Sequence, residues 1–122
     1  MKVLVCGGRH YKDKMRVFVE LNALRPDSII QGGCTGPDRF ANEWALGNNL
    51  PSMTFYADWK HEGAAAGPIR NQRMLDEGKP DIVLAFPGKS GTADMVKRAA
   101  ASGVRVIQVS ATATANKSRE HQ

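Results

Sequence analysis

Residues 86–92 read Phe-Pro-Gly-Lys-Ser-Gly-Thr, the residue types of a turn shaped to receive a phosphate. Glycines let backbone approach a ligand closely, and a helix starting there offers unpaired N–H groups carrying partial positive charge. Pro87, Gly88, Lys89, Ser90, Gly91 and Thr92 are therefore candidate ligand residues. Ser90 and Thr92 can cap the helix or bond a phosphate oxygen. The bland alternative is a plain loop, which collects the same residues. Two further stretches share the character: Cys-Gly-Gly-Arg-His-Tyr at 6–11 and Gln-Gly-Gly-Cys-Thr-Gly-Pro-Asp-Arg at 31–39. They add Gly7, Gly8, Arg9, Gly32, Gly33 and Asp38 to the candidates, and a common pocket is the economical explanation of three such turns. The 86–92 turn is not a Walker A loop, and Gly-x-Gly-x-x-Gly is missing, so nucleotide chemistry by those routes is disfavoured.

Other side chains add chemistry. Arg9 follows a Gly-Gly pair, where a guanidinium either clamps a phosphate bidentately or makes a surface salt bridge. Arg70 and Asn71, within residues 67–74, open a helix aimed at the same crevice. The long polar and aromatic segment 56–68 reads as a loop covering a ligand. In it Trp59 either stacks on a base or belongs to the core or a dimer interface. His61 reads as a surface histidine. No His-nucleophile pair and no Cys-x-x-Cys or His-Glu-x-x-His spacing supports a protease-like triad or a zinc site, and no metal is expected.

These residues need elements to position them. Short apolar runs bounded by Gly or Pro recur at 2–6, 28–31, 52–57, 81–86 and 104–109, several nearly continuous in Val, Ile and Leu, as parallel strands covered on both faces are. Helical spacing predicts helices over 37–48 and 91–103, with further helices over 11–24 and from about Pro68 within 65–77. The alternation implies an α/β fold, a doubly wound parallel sheet of about five strands in a single domain, strand order 3-2-1-4-5. In such a sheet ligands lie beyond the carboxyl ends of the strands where the order reverses, which singles out the first and fourth strand ends. The domain spans 1–110, and 111–122 reads as a flexible tail.

Length and composition set the outer bounds. The chain has 122 residues, 42% hydrophobic and 24% charged, enough for one core and unlike a disordered chain. No run approaches a membrane span, the opening residues lack the long apolar stretch of a signal peptide, and Cys6 and Cys34 read as buried free thiols at strand ends, so a reducing, cytoplasmic setting is expected. The net charge of +5 favours anionic ligands. The basic residues are dispersed along the chain, which ranks nucleic acid below a small nucleotide.

Four motifs in order, Gly-Gly-Arg-His-Tyr (7–11), the stretch 32–45, the stretch 57–75 and the stretch 81–96, resemble the YspA/cpYpsA-related SLOG family, small Rossmann-like proteins common in bacteria and phages. The resemblance implies a nucleotide-binding domain with LOG phosphoribohydrolases and DprA-type DNA-processing proteins among its relatives. In LOG enzymes a Pro-Gly-Gly-x-Gly-Thr-x-x-Glu loop holds the phosphate. Here Pro87, Gly88, Gly91 and Thr92 match it, Lys89 replaces the second Gly, and Met95 stands in place of Glu, with Asp94 one position earlier. Arg70 and Met74 fit the relatives' Arg and Met, with Asn71 in place of Lys.

Three functions follow as expectations. The first is binding of a nucleotide or nucleotide-derived ligand by a sensor or sequestering module. The second is a hydrolase of the N-glycosidic bond in nucleoside 5′-monophosphates, with Arg70 and Asp94 as catalytic residues. The third is DprA-like binding of nucleic acid. A homodimer is expected, and no membrane partner.

Overall fold

A computed structural model describes residues 1–111 of the chain, so the expected tail lies, from 112 onward, outside the described residues. The centre is a five-stranded sheet of β1 (Lys2–Cys6), β2 (Ser28–Gln31), β3 (Ser52–Thr54), β4 (Ile82–Ala85) and β5 (Arg105–Gln108). Every pairing is parallel and the order is β3-β2-β1-β4-β5, as the sequence led us to expect. The protein is a single-domain α/β structure with a Rossmann-like sheet.

Strand alternation sorts the core into two layers. Val3, Val5, Ile82 and Leu84 face α1 (Lys14–Leu24) and α2 (Pro37–Gly47), where Val17, Leu21, Ala41 and Trp44 complete one cluster. Leu4, Cys6, Val83 and Ala85 face the opposite side and pack with Met74 and Leu75 of α4 (Ala66–Asp76) and Met95 and Ala99 of α5 (Ser90–Ala101). Both faces are covered, which explains the unbroken apolar runs of β1 and β4. The buried Trp44 indole N–H finds the Asn22 side-chain oxygen at 2.9 Å, so no polar atom is stranded there.

Several boundaries differ from expectation for identifiable reasons. Strand pairing of β3 ends at Thr54, and of the remaining residues assigned to it only Phe55 is buried; Tyr56 is exposed. The segment expected to be a covering loop forms a short helix α3 (Trp59–Glu62) and a 3₁₀ turn (Gly63–Ala65), started by Asp58, whose carboxylate accepts from the His61 backbone N–H. Helix α4 starts at Ala66, before Pro68, because a first-turn proline lacks only an N–H that has no intrahelical acceptor. Helix α5 starts at Ser90 with Lys89 as its cap residue and no side-chain capping bond, so neither Ser90 nor Thr92 caps it. Cys6 is buried, whereas Cys34 is only half-buried, because it sits in the turn beyond β2 rather than in the sheet; both are free thiols. Among the described residues no helix is long and apolar enough to cross a membrane.

Candidate functional site

The three glycine turns meet. The Gly8 N–H donates to the Pro87 carbonyl at 2.9 Å, which ties the end of β1 to the end of β4 where the strand order reverses. A Cβ on Gly88 would stand 2.7 Å from the Gly8 nitrogen and 2.1 Å from the Thr92 hydroxyl oxygen, so the two backbones come this close because residue 88 is glycine. The turn after β2 closes on the same point. Gly36, at φ +82°, lies so near that a Cβ there would be 2.5 Å from the Gly8 carbonyl oxygen, and the Thr35 hydroxyl donates to the Arg9 carbonyl at 2.9 Å. Segments far apart in sequence thus form one shelf at the carboxyl end of the sheet.

Helix α5 rises from this shelf. Its first intrahelical acceptor is the Lys89 carbonyl, taken by Ala93 at 3.0 Å, so the N–H groups of Ser90, Gly91 and Thr92 have no helical partner. No other acceptor among the described residues takes them. Nothing lies within 4 Å of where a Gly91 Cβ would be, so the turn opens to solvent rather than being plugged by side chains. Beside it a cleft of about 380 Å³ runs between α5 and the ends of β4 and β5, lined by Phe86, Lys89, Thr92, Val96, Lys97 and Val109 among others. Neither lysine makes a hydrogen bond or an ion pair among the described residues. Gly88, Lys89 and Ser90 form the Gly-Lys-Ser ending of a Walker A loop, but Val83, buried in β4, occupies the position of that motif's first glycine.

Four other candidates are joined by hydrogen bonds beside the shelf. Asp38 is 6% exposed, and one of its oxygens accepts from the Gly32 N–H at 3.0 Å and the Cys34 N–H at 3.2 Å. Burial pushes its carboxyl up to about 6, against the opposing pull of those two bonds and of the Arg70 charge. Arg70 donates through one nitrogen to the carbonyls of Gly32 at 2.7 Å and Phe55 at 3.3 Å, and through Nε to the Asn71 side-chain oxygen at 3.1 Å. Asn71, also buried, donates to the Gly91 carbonyl at 3.3 Å and to Asp94 at 3.0 Å. Asp94 further accepts from Arg98 at 2.8 Å; burial raises its pKa, but the bonds from Asn71 and Arg98 outweigh it and hold the carboxyl below the usual carboxylate range. Burial drives the Cys6 thiol up to about 12, with Asp38 adding to the shift and Arg70 opposing it.

The remaining candidates fall elsewhere. Gly7 is filled by packing, since a Cβ there would meet Pro37 at 2.6 Å and Phe86 at 3.0 Å. Gly33 lies under Tyr56 at a second, smaller cleft of about 130 Å³, which Arg39 also lines. Trp59 is half-exposed and rests on Gly67 at the start of α4. Arg9 is exposed, its guanidinium unpartnered among the described residues. Cations dispersed in sequence are gathered by the topology: Arg9, Arg39, Lys60 and Lys89 each follow a strand end. Lys97 escaped the sequence reading. Its signal was there, since 89, 93 and 97 fall on one face of a helix. Among the described residues no group of three or more His, Cys, Asp or Glu is placed to hold a metal.

Comparisons with known proteins agree with this architecture. Residues 1–61 match the YspA, cpYpsA-related SLOG family. The chain is also 35% identical over 118 residues to the Gene 61 protein of Mycobacterium phage D29, an alignment covering 87% of this chain and 94% of the phage protein. With half its length matching the family and its glycine shelf built from the first and fourth strand ends, the chain belongs to the YspA, cpYpsA-related SLOG family.

Proposed function

We propose that this protein binds a phosphorylated nucleoside, with the phosphate on the first turn of α5 and the nucleoside in the cleft between α5 and the end of β5. Family membership supports a nucleotide-related ligand. The observation that carries the finer reading is the open first turn of α5, whose three unpaired N–H groups stand beside a cleft lined by the cations Lys89 and Lys97. Such a turn favours an oxyanion through its N–H groups and the helix dipole together. A cleft of about 380 Å³ falls within the usual range of small-ligand sites, and Phe86, Val96 and Val109 give it apolar walls for a flat ring.

A binding module suits these residues better than a hydrolase. Asp94 is an ionised carboxylate with one oxygen held by Asn71 and Arg98, and Arg70 commits Nε and one terminal nitrogen to Asn71 and to backbone carbonyls. Those bonds hold both side chains in place and suit support of the α5 turn better than proton transfer at a ligand held on it.

Isothermal titration against nucleoside monophosphates, ADP-ribose derivatives and the matching unphosphorylated nucleosides tests the reading. Binding confined to phosphorylated members and weakened by Gly91→Val is expected. Silence across the panel contradicts it.

A further inference from the structure

The α5 turn is connected to a buried carboxylate on the opposite side of the sheet by an unbroken line of hydrogen bonds. Gly32 is its first link. Its N–H is held by Asp38 at 3.0 Å and its carbonyl by Arg70 at 2.7 Å, and it must be glycine because a Cβ would lie 2.4 Å from the Arg70 guanidinium nitrogen and 3.0 Å from the Asp38 oxygen. Arg70 then fixes the Asn71 carboxamide through its oxygen at 3.1 Å, and that carboxamide's nitrogen reaches the Gly91 carbonyl at 3.3 Å. Gly91 is the middle residue of the open turn, with Ser90 and Thr92 on either side.

We infer that the protonation state of Asp38 is transmitted through Gly32, Arg70 and Asn71 to the first turn of α5, making Asp38 a positioning residue that tunes the phosphate seat. The seat itself rests on the reading given under Proposed function; the coupling rests on the bonds alone. An ionised Asp38 grips the Gly32 and Cys34 N–H groups with charge-assisted bonds and balances the Arg70 guanidinium across Gly32. A neutral Asp38 does neither with the same strength, so Arg70 and the carboxamide it orients settle differently. The charged and titratable groups packed against Asp38 are Arg70 from α4 and the Cys6 thiol from β1, with Cys34 in its own turn. Burial holds the Cys6 thiol protonated up to about 12, whereas it brings the Asp38 carboxyl to about 6. The carboxyl's displaced titration near 6 puts the change within reach of cellular pH.

Nuclear magnetic resonance on the full chain tests this. The side-chain carboxyl carbon of Asp38 and the backbone amides of Ser90, Gly91 and Thr92 are followed from pH 4.5 to 8. The expected result is that the Gly91 and Thr92 amides shift with the same midpoint as the Asp38 carboxyl. Asn71→Ala should abolish the amide response while Asp38 still titrates, and it provides the test if Asp38→Asn does not fold. Amides that stay flat through the Asp38 transition, or that keep responding in Asn71→Ala, overturn the coupling. Sulfate, which does not titrate in this range, is then added at pH 5 and pH 7.5. A different affinity at the two pH values in the wild type, lost in Asn71→Ala, supports the tuning; equal affinities overturn it. Sulfate that leaves all three amides unmoved at both pH values overturns the seat, and with it any tuning of it.

Discussion

Gly8 and Gly88 stand back to back, so close that a Cβ on Gly88 would lie 2.7 Å from the Gly8 nitrogen. This contact joins the ends of β1 and β4 and sets where α5 begins, so the open turn at Ser90–Thr92 depends on it. Gly88→Ala should therefore destabilise the fold by about 1–3 kcal/mol, the usual cost of forcing an extra group into a packed place. The shift in the urea midpoint measures it. An unchanged midpoint means that the two loops separate easily and that the shelf is not rigid.

Gly91→Ala should act in the opposite sense on stability. Its Cβ meets nothing within 4 Å, and alanine is the better helix former by up to about 1 kcal/mol, so the thermal midpoint should hold or rise. The same methyl group stands over the open turn, and affinity for a phosphorylated nucleoside should fall. Stability and binding moving in opposite directions separate a ligand role from a structural one.

How far the sequence reveals this arrangement depends on the kind of residue. Strand order and the two helical layers were readable because β1 and β4 are unbroken apolar runs and because α2 and α5 carry clear apolar faces. The meeting of the turns at 7–9, 33–36 and 87–88 followed from the topology. What stayed hidden were side-chain directions. Asp38, Arg70 and Asn71 sit in the right neighbourhood, but each turns inward to hold backbone groups, and nothing in their spacing distinguishes a residue that faces a ligand from one that braces the loop behind it. Segment 56–68 was misread because its length and its polar and aromatic residues suggested a loop, whereas Asp58 provides a helix start.

Asp38 should also leave a mark on stability against pH. Its carboxyl titrates at about 6 in the fold against 3.8 for an unperturbed Asp, so between those values the unfolded chain binds fewer protons and stability falls as pH rises. The penalty is absent below 3.8, complete above about 6, and worth roughly 3 kcal/mol at about 1.4 kcal/mol per pH unit of displacement. Urea midpoints of wild type and Asp38→Asn, compared from pH 4 to 7.5, isolate this contribution because the other carboxylates are common to both. The wild type should gain relative to the variant as pH falls. A constant difference across the range would show that Asp38 titrates normally.

Lys89 and Lys97 should matter for binding and little for folding, since neither makes a hydrogen bond or salt bridge among the described residues and Lys97 acts only through the field it exerts on Asp94. Replacing either by Met should weaken a phosphorylated ligand by about tenfold, equivalent to about 1.4 kcal/mol, and flatten the dependence of affinity on salt. Titrations at low and high ionic strength read both effects. Affinity unaffected by both substitutions places the ligand away from this cleft.

The most direct test of the central claim is a crystal structure of the protein with adenosine 5′-monophosphate. The expected result is a phosphate whose oxygens accept from the backbone N–H groups of Ser90, Gly91 and Thr92, with the nucleoside lying along Val96 and Lys97. A phosphate bound elsewhere, for instance beside Arg39 and Tyr56 in the smaller cleft, with the α5 turn empty, would contradict it.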